Sequence, residues 1–234
     1  RNGTGGNEWL PVQHPQPGQA LPTEILPFSE TPQIINPPAG FFVNANNDPV
    51  GHSHDNNPFN QLRPGGGIYY LAAYFETLRA GRITQLLREK LAKGRKVSVE
   101  DMQEIQADTV LPDAPVFVPH ILEAWANAQS TAEPALAGFA SNPRVAEAVQ
   151  RLRGWNFTSP TGIPEGFDAS DVDGQRFAPT TEEIAHSVAA TLYSVWRGQF
   201  VRNTLDAPLV PYGLPTADDQ RALPALRNLL DQFP

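Results

Sequence analysis

A mainly α fold with a few short β-strands near its beginning is what this sequence predicts, and three observations carry the prediction. Apolar residues recur at roughly 3.6-residue spacing in several separate runs after residue 68, each wide enough to form one buried helix face. Residues 1–39 are rich in Gly, Pro, Asn and Gln and show little periodicity, as an extended arm would. Between these regions, Gly40-Phe41-Phe42-Val43 places aromatic and β-branched residues in a short run suited to a half-buried strand. The organisation expected is therefore an arm over 1–39, a strand and polar loop over 40–67, and a helical domain over 68–234.

The strand is expected to run from Gly40 to Ala45 and to stop at Asp48-Pro49, with a polar loop through His52, His54, Asp55, Asn56 and Asn57 leading to Pro64 and three glycines. Gly65–Gly67 lack the lysine of a phosphate-binding loop, and their simpler reading is a flexible lead into a helix starting at Ile68. In that helix Tyr70, Leu71, Tyr74 and Leu78 share one face. A break at Gly81 then precedes a second amphipathic turn set at Ile83, Leu86 and Leu87. Ser98 is placed to cap a helix whose first turn carries Glu100 and Asp101, with Met102 and Ile105 facing inward.

Further helices are expected over Val116–Ala128 and Arg144–Leu152, the latter opened by Asn142-Pro143 with proline in the first helical position. Residues 156–179 are turn-rich. Thr180 or Thr181 caps the next helix, where Ile184, Val188, Leu192, Val195 and Trp196 repeat over several turns. A last helix is expected over Asp218–Leu230. There is no internal repeat.

Composition limits the function. The 234-residue chain is 40% hydrophobic and 18% charged, which is globular, and it contains no apolar run of the roughly 20 residues that cross a bilayer. Its formal charge of −8 disfavours nucleic acid, whose phosphates need a basic face. Having no cysteine, it cannot use disulfides, thiolate nucleophiles or Cys-type zinc sites. Gly-x-Ser-x-Gly, His-Glu-x-x-His and Walker motifs are missing too. His52-x-His54-Asp55 fits a solvated loop better than a metal site. Asp171-x-Asp173-Gly174 copies part of a calcium loop, but Ala169 and Thr180 stand where that loop needs carboxylates. No metal ligand is assigned.

What remains is the asparagine cluster. A side-chain amide fixed at a strand end presents N–H donors with no charge to desolvate, which is what stabilising an oxyanion requires. From composition alone, capping the strand end and fixing turns is the reading favoured for Asn44, Asn46 and Asn47. Spacing alone leaves both readings open.

The ordered run PFSETPQIINPPAGFFVNANNDP, then RAGRITQLL, then VSVEDMQEIQAD, resembles the penicillin amidase (penicillin acylase) family of N-terminal nucleophile hydrolases, in the middle of the β subunit. The anchors are Asn36-Pro37 with Gly40, Asn44-Ala45-Asn46, Arg82-Ile83, and Ser98 to Asp108. They span residues 22–110, and a looser echo at Leu152, Trp155, Tyr193 and Trp196 extends to about 205.

The resemblance implies the oxyanion strand and helical insertion of an αββα hydrolase that cleaves amides in penicillins, acyl-homoserine lactones or similar N-acyl compounds. Asn46 then corresponds to the oxyanion-hole asparagine, and Arg82 to an arginine that helps orient it. Asn44 supports them, and Phe41, Phe42, Tyr69 and Tyr70 are candidates for contact with an acyl group. The family's nucleophile is the first residue of its β subunit, whereas this chain begins with Arg1. It is therefore expected to be a piece of the hydrolase, inactive alone and partnered by the α subunit and the nucleophile-bearing β segment. The same resemblance implies a periplasmic or secreted location, and no cofactor beyond a structural calcium in the complete enzyme. Its strand edges are expected to pair with a second copy or leave the arm unordered. The competing reading is a non-catalytic helical binding module descended from such an enzyme.

Overall fold

The computed structural model describes residues 11–13, 15, 17–20, 22–49, 60–69, 78–163, 177–216 and 219–232. The chain divides into two compact units, Arg1–Ala80 and Gly81–Pro234. It is mainly helical, and the β pairing among the described residues consists of isolated bridges, with no sheet.

In the first unit a short 3-10 turn, Phe28–Glu30, ends on the residue that organises its surroundings. The Glu30 carboxylate accepts from Arg63 Nε at 3.0 Å and from the Gly65 amide at 3.4 Å, while the Glu30 carbonyl accepts from the Tyr69 hydroxyl at 2.7 Å. The three glycines form a turn, and Ile68 just beyond them lies in a bridge and not in a helix. An antiparallel bridge joins Leu62 to Ile68, the Arg63 amide donates to Gly67 O, and Gly66 and Gly67 adopt φ of 93° and 78°. Those positive φ values suit glycine, and the tight turn they allow keeps Ile68 out of a helix. Residues 70–77, including Tyr70, Leu71 and Tyr74, lie outside the described residues.

Residues 41–44 take up no regular secondary structure, yet burial alternates along them as it does in a strand. Phe41 and Val43 are half-buried and Ala45 is buried, while Phe42 and Asn44 are exposed. Among the described residues no bridge partner pairs with them, and the expected strand is not formed there.

Helix α1, Leu78–Leu91, passes through Gly81 without a break. A helical glycine costs only about 1 kcal/mol relative to alanine, and the Leu, Arg, Ala and Gln around it offset that. Helix α2, Val99–Ala107, begins at Ser98 with a complete capping box: the Asp101 amide donates to Ser98 Oγ and the Ser98 amide to the Asp101 carboxylate. Asp101, and not Met102, is the buried residue of that helix, and Met102 is 47% exposed. Arg95 and Lys90 both bind the Asp101 carboxylate, which is why it can be buried at all.

Helices α3, Ala114–Ser130, α4, Pro134–Ala140, and α5, Pro143–Arg153, follow, and Asn142 caps α5 by accepting from the Arg144 amide at 2.9 Å. Helix α6, Thr181–Val201, starts with a Thr180–Glu183 capping box. It leads into a π-helical stretch, Arg202–Asp206, a short turn α7, Ala207–Leu209, a 3-10 turn, Val210–Tyr212, and α8, Asp219–Gln232.

The core of the second unit lies where α3, α5, α6 and α8 meet, with Phe117, Val118, Val149, Leu152, Trp155, Tyr193 and Leu226 buried. The buried face of α6 is not the β-branched stripe. Ile184, Val188 and Val195 are 52%, 38% and 60% exposed, whereas Ala189, Ala190 and Tyr193 are buried. Two alanines let neighbouring helices approach closely, and Tyr193 fills the space beside them against Trp155, 5.5 Å between ring centroids.

Candidate active site around Asn46

The backbone leading to Asn46 is shaped by local chemistry. Asn36 takes φ of 48°, and Gly40, at φ 76°, closes a turn with its amide donating to Pro37 O at 2.8 Å. The chain then reaches Asn46, whose φ of 57° lies in the left-handed region that asparagine tolerates better than most residues. Asn47 fixes that ending, its Oδ1 accepting from the Ala45 amide at 3.0 Å. Turn-making thus falls to Asn47 and leaves the Asn46 amide for other work.

Asn46 is held by Arg79. The guanidinium donates from Nη2 to Asn46 Oδ1 at 2.5 Å and to Ala45 O at 3.1 Å. Arginine has no acceptor, so these contacts fix which end of the amide is which. The oxygen must face the guanidinium, and the NH2 is directed away from it. Asn46 and Arg79 are both exposed, so a substrate can reach the pair.

Arg82 is engaged elsewhere. It lies in the second unit and forms a two-pronged ion pair with Asp108, at 2.9 and 2.6 Å, and donates to Gln85 Oε1 at 3.1 Å. The Asp108 bond raises its pKa further above the ordinary value. Asn44 and Phe42 project outward, Phe41 is half-buried, and the Tyr69 hydroxyl is spent on Glu30. Tyr70, His52, His54, Asp55, Asp171 and Asp173 lie outside the described residues.

Sequence reasoning missed Arg79. Its signal was present in LRAGRI, where two arginines three residues apart stand one helical turn from each other.

The penicillin amidase family model matches residues 1–233. The chain belongs to the penicillin amidase family. The match takes in the arm and the C-terminal helices as well as the segments between residues 22 and 110 that carry the resemblance. No curated protein and no solved structure matches the chain. Family membership makes this penicillin amidase domain a relative of amide hydrolases and gives the asparagine cluster a chemical context.

Proposed function

We propose that this penicillin amidase domain takes part in hydrolysing linear amides of N-acyl compounds, such as penicillins or acyl-homoserine lactones, with Asn46 as the oxyanion donor. In the reaction a nucleophile attacks the amide carbonyl carbon and the carbonyl oxygen takes up negative charge. Asn46 Nδ2 donates a hydrogen bond to that oxygen. Its counterpart Oδ1 stays on Arg79, so the donor is oriented before charge develops and no reorganisation is needed at the barrier. Collapse of the tetrahedral intermediate expels the amine, and water releases the acyl group.

Arg79 acts as a positioning residue in this scheme, and Phe42 and Asn44 are the side chains best exposed to meet the acyl part. The nucleophile is the first residue of the partnering β segment, which together with the α subunit completes a hydrolase of this family acting in the periplasm or outside the cell.

The observation that carries the proposal is the Arg79 grip on the oxygen end of a left-handed asparagine. Its test is complementation. The chain alone should not turn over an N-acyl substrate, addition of the missing segments should restore turnover, and Asn46→Ala should lower kcat about 10²- to 10³-fold in the reconstituted enzyme. Full activity of Asn46→Ala after reconstitution would refute the assignment. An inert reconstituted enzyme that still binds an acyl ligand would favour the non-catalytic module.

A further inference from the structure

In the second unit a cavity of about 260 Å³ opens beside the start of α6, lined among others by Thr158, Thr161, Thr180, Glu182, Glu183 and His186. It falls below the roughly 300–1,000 Å³ of sites for drug-sized ligands, so its occupant is small. Among the described residues no lysine or arginine lines it. One wall is a rigid turn: Phe157 holds a φ of 67°, rare for so bulky a residue, and is kept there by Leu111 N donating to Phe157 O and Ser159 N donating to Thr109 O. Strain of this kind persists only where the surroundings hold it, and it gathers at binding sites.

A buried imidazole nitrogen and a carboxylate face each other at this cavity. His186 is 9% exposed, and its Nε2 is buried without a hydrogen-bond partner. The nearest acidic oxygen, Glu182 Oε1, stands 3.4 Å away at ion-pair distance without making a hydrogen bond to it. Glu182 is 82% exposed and can swing to admit a ligand. The neighbouring Glu183 carboxylate is fixed, accepting from the Thr180 amide at 2.7 Å and the Thr180 hydroxyl at 2.9 Å. Those bonds lower its pKa, so it remains a permanent negative charge at the rim. A helix N-terminus ordinarily draws anions, but this one is closed by its own capping box and flanked by two carboxylates.

We infer that this cavity is a binding site for a small primary ammonium, which donates one N–H to His186 Nε2 and another to the Glu182 carboxylate. A neutral imidazole with its proton on Nδ1 supplies the acceptor at Nε2. Binding satisfies the one buried side-chain atom left without a partner among the described residues. The threonine hydroxyls suit a ligand that also carries a hydroxyl. The site would take such a cation whether or not the chain cleaves amides, so failure of one reading leaves the other standing.

The probe is ethanolammonium chloride, titrated into the full chain while the imidazole nitrogens of its five histidines are followed by ¹⁵N NMR. His186 should begin as the Nδ1–H tautomer, and its Nε2 resonance should move saturably while the other four stay still. Sodium acetate at equal concentration should not move it. Glu182→Gln, a surface change that leaves the fold intact, should weaken binding about fivefold. A His186 that carries its proton on Nε2 in the free chain would overturn the inference. So would an unmoved Nε2, an equal response to acetate, or unchanged affinity in Glu182→Gln.

Discussion

Replacing Asp113 with alanine should destabilise the second unit by about 3 kcal/mol. Asp113 is 3% exposed and ends the turn before α3, where its Oδ2 accepts from the Tyr193 hydroxyl at 2.7 Å and from Arg197 Nη1 at 2.8 Å. Tyr193 is 0% exposed, so its orphaned hydroxyl loses its partner with no water to replace it, a cost of about 2 kcal/mol. Breaking a fully buried ion pair costs roughly 3–5 kcal/mol, but the Arg197 side chain keeps 28% exposure and is partly rehydrated, which cuts that contribution to about 1 kcal/mol. Tyr193→Phe deletes the hydroxyl instead of stranding it and should cost about 1 kcal/mol. The two changes share one bond, so the double variant should fall short of their sum by about 1 kcal/mol. Urea unfolding read by tryptophan fluorescence reports on this region, since Trp155 and Trp196 lie 5.5 and 5.9 Å from the Tyr193 ring. A loss below about 0.5 kcal/mol for Asp113→Ala, or strict additivity with Tyr193→Phe, would refute the reasoning.

Other expectations follow from the same geometry. Arg95, the Ser98 amide and Lys90 hold the Asp101 carboxylate well below the usual range. A depressed folded pKa means its stabilisation is full above the unfolded value of about 4 and is lost as pH falls toward the folded one, so the stability gap between the wild type and Asp101→Asn should be flat above about pH 4 and shrink below it; a gap that widens in acid would contradict this. At Gly65 a Cβ would meet Glu30 Oε1 at 2.5 Å. Gly65→Ala should therefore push the carboxylate off Arg63 and cost about 1 kcal/mol, a penalty that should vanish in a Glu30→Ala background when protection is read by hydrogen exchange. Arg79→Met, which keeps a long side chain but no donors, should lower kcat of the reconstituted enzyme about ten- to hundredfold with little change in KM; an unchanged kcat would remove Arg79 from the scheme.

Much of the helical layout was legible because its signals are local. Ser98 with Asp101, Thr180 with Glu183, and Asn142-Pro143 satisfy orphan amides at helix starts using side chains within three residues, so they can be read without knowing the fold. Helix α4 escaped notice because Pro134–Ala140 is short and made mostly of small residues. The buried face of α6 was misjudged for a different reason. Hydrophobicity favoured Ile184, Val188 and Val195, but packing favoured Ala189 and Ala190, whose value is small size and not apolar area. Met102 was expected inside for its side chain, and Asp101 took that place because two cations neutralise it, a long-range fact. The candidate site divides along the same line. The Asn44-Ala45-Asn46 motif singles out Asn46 from the sequence, whereas LRAGRI places an arginine one helical turn before Arg82 without showing that it bonds Asn46 across 33 positions of the chain.

Asn46→Asp gives the most direct test of the central claim. The substitution keeps an oxygen for Arg79 to grip and deletes only the NH2, so the local fold should survive while the oxyanion loses its donor and meets a charge. Measured in the reconstituted enzyme, kcat should fall at least about 10²-fold with the Arg79 contact intact by NMR; turnover equal to that of the wild type would contradict the account.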